Sequence, residues 1–262
     1  MFGRKSRKPP KATVLVPLYI YPDPLAWDPL FAAVANNSAV NFTVIINPNS
    51  GPGVPGLDAN YTRDIPRLNA YPNVLTVGYV STNYTNRDLS LIFDDIDTYV
   101  SWSQNVSTKG LGMRGIFLDE TPNQWTPAAG QFYDSIATVI RSSTGLGADP
   151  LIIHNPGSIP DPQFLTSSSA NVTVVFEGSY TSYQQYSSSK SIGAVQKSAK
   201  VKREQLAAIV YDFPDGEDTK GFLEDLRRRV GNLFITGDGV DGDVYAGWWD
   251  EWEGWVGNMS TL

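Results

Sequence analysis

The 262-residue sequence predicts an α/β fold, a single (β/α)8 TIM barrel with some irregular crossovers, on three observations. Eight short runs are rich in β-branched and aromatic residues. Segments of helical period separate most of them. The length suits one large core of the size such barrels need. Near-continuous apolar strands alternating with helices mark a parallel sheet covered on its far side. An open doubly wound sheet is the competing architecture.

The first strand is expected at 12–21, "ATVLVPLYIY", followed by a helix over Pro24–Asn36. The second, 41–48, reads "NFTVIINP". The Gly/Pro-rich "NSGPGVPGLDANYTRDIPRLNAYP" after it predicts a long loop with a short helix. The third strand, 73–81, leads into a helix over Asn86–Gln104, where Leu89, Ile92, Phe93, Ile96, Tyr99 and Val100 share one face. The fourth, 113–120, is "MRGIFLDE", and a helix over Thr126–Ser143 follows, striped by Phe132, Ile136, Val139 and Ile140. The fifth, 150–157, passes into "SIPDPQFLTSSSA", which reads as loop. The sixth, 171–180, runs into a Ser-rich low-complexity tract, "SYTSYQQYSSSKSIG". The seventh, 205–214, precedes a helix over Asp218–Val230, and the eighth is 232–238. In the tail "YAGWWDEWEGW", the spacing of Trp248, Trp252 and Trp255 fits a helix packing on the barrel, with sugar stacking on one or two rings as the alternative. The domain division is a basic disordered stub at 1–11, the barrel at 12–257 and a short tail at 258–262.

Composition narrows the chemistry. The formal charge is −7, from 27 acids against 20 bases, so the surface lacks the positive stripe that binding nucleic acid needs. It suits a neutral or cationic ligand. There is no cysteine and one histidine, His154, which removes disulfides, thiolate catalysis and the usual Cys and multi-His metal sites. No cofactor or metal is expected, and carboxylates must do most of the chemistry.

In a parallel barrel the active site forms at the C-terminal ends of the strands, so a polar residue closing an apolar run is a candidate. Those ends supply Tyr19, Asn47, Asn49, Asp119, Glu120, His154, Asn155, Glu177, Tyr180, Tyr211 and Asp212. An Asp on the fourth strand and a Glu on the sixth, with no metal ligands and many aromatics, fit glycosidic bond cleavage. Glu177, after "VTVVF", should be poorly solvated and suits the general acid. Asp119 suits the nucleophile. Strict alternation turns Glu120 away unless the strand has already ended. A terminal Asp-Glu also has a plain reading as the cap of the next turn. His154 reads equally as a core histidine or a sugar contact, and the Asn residues of "NPNSGPG" as turn formers or hydroxyl ligands. Trp248 is the tail's candidate for sugar stacking.

Taken together, "LVPLYIYP", "VIINPNSGPG", "GIFLDE", "IIHNPG" and "FEGSY", in that order, resemble the spherulin-4-like (spherulation-specific family 4) proteins, glycoside hydrolase family 135. The likeness runs from Ala12 to Trp255. It implies a (β/α)8 barrel, an extracellular or cell-surface fungal setting, and endo-cleavage of α-1,4-linked N-acetylgalactosamine stretches in galactosaminogalactan. The family's acidic pair carries onto Asp119, with Glu120 beside it, and Glu177. Hydrolysis of the deacetylated polymer and a non-catalytic sugar-binding or spore-wall role are the rival readings.

The sequence bears Asn-x-Ser/Thr acceptors at Asn36, Asn41, Asn60, Asn83, Asn105, Asn171 and Asn258, as a glycosylated secretory protein would. The expectation is an extracellular or cell-surface monomer, touching a membrane only through a segment preceding this chain.

Overall fold

The computed structural model describes residues 9–53, 57–185, 188–239 and 243–262. Most of the expected basic stub, and two residues of the Ser-rich tract, lie outside the described residues. The eight apolar runs form eight parallel strands: β1 (Thr13–Leu18), β2 (Phe42–Ile46), β3 (Val74–Ser81), β4 (Gly115–Asp119), β5 (Leu151–Asn155), β6 (Val172–Ser179), β7 (Leu206–Tyr211) and β8 (Asn232–Ile235). Each pairs with the next and β8 pairs back to β1, closing a barrel in sequence order. This is the predicted fold. The strands are short, bounded where polar or turn residues interrupt the apolar run.

Four expected helices form close to their predicted bounds: α1 (Asp28–Asn36), α3 (Leu89–Ser103), α4 (Pro127–Ser142) and α8 (Thr219–Arg229). Side-chain caps fix three of their starts. Asp88 accepts the Ser90 N–H, Thr126 the Ala129 N–H and Asp218 the Gly221 N–H, each satisfying a donor the first turn leaves free.

The second and sixth crossovers are more helical than their composition predicts. The second contains α2 (Ala59–Asn69), an 11-residue helix that tolerates Pro66 because Tyr61, Ile65 and Leu68 bury one side of it. The Ser-rich tract holds α6 (Tyr180–Gln185) and α7 (Ser188–Ala199). Burial of Tyr183 and Ile192 overrides serine's weak helix propensity. The fifth crossover is nearly the expected loop, with α5 (Pro162–Thr166) as its one short helix. The C-terminal α9 (Trp252–Thr261) starts later than the Trp spacing suggests and continues through most of the expected tail. Trp252 and Trp255 are buried in it, while Trp248 and Trp249 lie in the irregular segment before it.

Two local features position the site. Gly115 opens β4 where an added Cβ would stand 2.0 Å from the Leu151 carbonyl oxygen, so only glycine lets β4 and β5 approach. In β6 the pairing with β7 skips a residue: Val174 faces Ala207 and Phe176 faces Ala208. Such a bulge reverses the alternation beyond it. Phe176 therefore packs outward on Tyr183 of α6, their ring centroids 5.2 Å apart, and Glu177 turns into the barrel.

Candidate active site

Strand β4 brings Asp119 to its C-terminal end, in register with Ser81 of β3 and Asn155 of β5. Residues in register across parallel strands point the same way, so these three side chains share the mouth of the barrel. Glu177 reaches it from β6. The amide of Asn155 joins the two acids: its Nδ2 donates to Asp119 Oδ1 at 2.8 Å and to Glu177 Oε2 at 2.7 Å. The Asn155 Oδ1 in turn accepts the Gly157 N–H at 3.0 Å, which fixes the orientation of the amide. The Gly157 carbonyl accepts the Glu177 N–H at 2.8 Å.

Each acid has a tyrosine of its own. The Tyr79 hydroxyl donates to Asp119 Oδ2 at 2.5 Å, and the Tyr245 hydroxyl donates to Glu177 Oε1. Tyr19 packs edge-on against both rings, its centroid 5.7 Å from that of Tyr79 and 5.1 Å from that of Tyr245. Burial pushes both carboxyls above their ordinary range. The hydrogen bonds pull them back, and for Asp119 the Glu120 backbone adds a third donor. Beside the two acids, the phenols of Tyr79 and Tyr245 are raised by burial and by the neighbouring carboxylates, and so remain protonated donors.

Glu120 lies just past the strand end. Its backbone turns into the left-handed region at φ 54°, alternation stops, and its carboxyl accepts from Ser81 Oγ at 2.5 Å. It therefore faces the rim, the exception that strict alternation allowed for.

The remaining predicted residues separate by position. Tyr211 ends β7, in register with Ser179 of β6. Asp212 is exposed at φ 55°, its N–H bonded to the Asp238 carbonyl at 2.9 Å. Asn47 uses its Oδ1 to accept the Gly51 N–H at 3.1 Å, and Asn49 is exposed in the same loop; neither bonds the acids. Tyr180 packs on Phe213 and Phe222 between α6 and α8, outside the acid cluster. Trp248 packs against Trp252 with the rings tilted at 48° and gives its indole N–H to the Ala26 carbonyl at 2.8 Å.

His154 is corrected from sugar contact to core histidine. It is in register with Leu118, not with Asp119, so it points out of the barrel. It is 3% exposed with its ring 4.8 Å from that of Tyr133 in α4. Burial holds its pKa down at about 3.

Tyr79, Ser81 and Tyr245 were missed by the strand-end search. Period-2 alternation could have found the first two, since Tyr79 and Ser81 both share the inward face with Asp119. Nothing periodic marks Tyr245, in the loop after β8.

Comparisons with known proteins agree with this arrangement. The sequence profile of spherulation-specific family 4 matches residues 13–259. Spherulin-4 of Physarum polycephalum is 40% identical over 164 residues, spanning 63% of this chain and 44% of spherulin-4; the match thus covers less than half of that relative's length. The crystal structure of Aspergillus clavatus Sph3 in complex with GalNAc superimposes with a TM-score of 0.90 at 40% identity, over 96% of this chain and 98% of that chain. Haloferax volcanii malate synthase, as its lead(II) complex, gives a TM-score of 0.54 at 9% identity over 98% of this chain and 74% of its own, a likeness of fold alone. Because the profile runs across all eight strands and both acids, the chain belongs to spherulation-specific family 4.

Proposed function

We propose that this protein is an endo-acting glycoside hydrolase of family 135 that cleaves α-1,4-linked N-acetylgalactosamine stretches of galactosaminogalactan with retention of configuration. The observation that carries the reading is the amide of Asn155 shared between Asp119 and Glu177. One nitrogen 2.8 Å from the first carboxylate and 2.7 Å from the second leaves their bonded oxygens at most about 5.5 Å apart, which fits the closer carboxyl spacing of retaining glycosidases. The similarity to Aspergillus clavatus Sph3, crystallised with GalNAc, supports the sugar.

In an α-linked 2-acetamido sugar the acetamido group is cis to the leaving group and cannot attack from behind, so a protein carboxylate must. Asp119, with three donors stabilising its anion, attacks the anomeric carbon. Glu177 gives its proton to the departing glycosidic oxygen. In the second half, Glu177 takes a proton from water, the water oxygen bonds to the anomeric carbon, and Asp119 leaves. Polysaccharide is the partner. The setting is extracellular or at the cell surface, and the chain acts as a monomer without a cofactor.

The test follows reducing ends released from N-acetylated and deacetylated α-1,4 oligomers, with the anomer first formed read by NMR. Release from the acetylated oligomer as the α-anomer is expected, and Asp119→Asn or Glu177→Gln abolishes it. With azide present, Asp119→Ala yields the β-glycosyl azide and Glu177→Ala the α-glycosyl azide. Release from the deacetylated oligomer alone would move the substrate, and no release from either would leave a sugar-binding protein.

A further inference from the structure

Next to the acid pair the backbone passes through three consecutive left-handed residues, none of them glycine: Asn83 at φ 45°, Tyr84 at 52° and Thr85 at 76°. Asn tolerates this region. A ring-bearing Tyr and a β-branched Thr occupy it only at a cost. The bonds that impose it run to the end of β4. Tyr84 N–H donates to the Glu120 carbonyl at 2.7 Å. The Thr82 hydroxyl lies 2.8 Å from the Asp119 carbonyl and 3.0 Å from that of Glu120. Thr85 N–H returns to the Thr82 carbonyl at 3.1 Å. Strain of this kind persists where the surroundings over-determine it, and it gathers at functional sites.

The strained turn displays the Tyr84 side chain. It is 55% exposed, and among the described residues it has neither a ring contact nor a hydroxyl partner. Four other tyrosines near the mouth are engaged: Tyr79 and Tyr245 with the acids, Tyr19 between their rings, and Tyr21 edge-on to Tyr61. Folding gains nothing visible from this ring, yet the chain keeps an unfavourable conformation beneath it. A galacto-configured sugar has an axial 4-hydroxyl, which leaves the C–H bonds at carbons 3, 4 and 5 on one apolar face. An exposed aromatic ring stacks on such a face.

We infer that Tyr84 is the aromatic platform of a subsite beside the cleavage point, taking the apolar face of a galacto-configured hexosamine unit of the polymer. The identity of that polymer rests on the proposed function; the platform itself rests on the turn and the exposed ring.

Glycine supplies the decisive variant, because it adopts the left-handed region without strain. Binding of an α-1,4-N-acetylgalactosamine hexamer is measured by calorimetry in the inactive Asp119→Asn background, and melting temperature in the otherwise wild-type chain. Tyr84→Gly is expected to melt at or above the wild type while binding about three- to tenfold more weakly. Tyr84→Trp keeps the affinity. Unchanged affinity in Tyr84→Gly overturns the inference, and so does a fall in melting temperature together with affinity, since Tyr84 would then be packing. No binding by Asp119→Asn with Tyr84 intact also overturns it. Binding without any reducing-end release by the wild type would instead sink the hydrolase and leave the platform standing.

Discussion

The Tyr245 hydroxyl donates to Glu177 across 68 residues of chain, and the Tyr79 hydroxyl donates to Asp119 across 40. Each bond favours the charged form of its carboxylate, so removing it raises that carboxyl's pKa. The proposed acid must be protonated and the proposed nucleophile ionised, so activity is lost as pH rises through the first and as it falls through the second. Tyr245→Phe should therefore move the alkaline limb of the kcat/KM profile upward, and Tyr79→Phe the acid limb upward, each with a loss of about tenfold in kcat. If Tyr79→Phe moves the alkaline limb instead, the two roles are exchanged.

Neutral isosteres of the acids should stabilise the fold. Burial raises the pKa of both Asp119 and Glu177 in the folded protein. Their contribution to stability is thus complete below the ordinary carboxyl range and is lost as pH climbs through the raised values. Asp119→Asn and Glu177→Gln do not titrate, and each new amide can donate to the adjacent tyrosine oxygen while its carbonyl faces Asn155. Scanning calorimetry at pH 7 should find each variant about 2–4 °C more stable, the response of a chain of this size to roughly 1 kcal/mol. The gain should vanish near pH 3.

His154 predicts the opposite slope. Its folded pKa, about 3, is lowered from 6.5, so its contribution is present above the unfolded value and drains away as pH falls from there toward 3. His154→Phe should flatten the melting temperature between those limits. Reducing-end release should stay within about twofold of the wild type, because the ring faces helix α4 rather than substrate.

Gly115→Ala should cost at least about 3 kcal/mol in urea unfolding, because the methyl group overlaps the Leu151 carbonyl and neither strand can give way. Ile116→Val, one residue on in the same buried strand, is the control, at about 1 kcal/mol.

Much of this arrangement was legible in the sequence for physical reasons. A parallel barrel buries its strands on both faces, so each appears as an apolar run, and a polar residue ending one must lie at a rim. That argument reached Asp119, Glu120, Asn155 and Glu177 together. It also took up His154, because strand-end position does not say which way a side chain points; one step of register separates Asn155 at the mouth from His154 under a helix. The bulge in β6 has no composition signal, so the inward turn of Glu177 could not be derived from "VTVVFEGS" by counting. Tyr79 was passed over because an aromatic inside an apolar run reads as core, and Tyr245 because a loop carries no period. The Ser-rich tract reads only as low complexity because propensity is local, whereas the burial of Tyr183 and Ile192 that makes it helical is not.

Arg227 is buried at the end of the barrel opposite the acids, where its Nε donates to the Pro10 carbonyl at 3.0 Å and its Nη1 to the Met259 carbonyl at 3.3 Å. One guanidinium therefore gathers the leading and trailing segments at the same pole. Pro10 is thereby held at the pole away from the two acids. A molecule held by that pole would leave the barrel mouth with Asp119 and Glu177 facing away from the attachment.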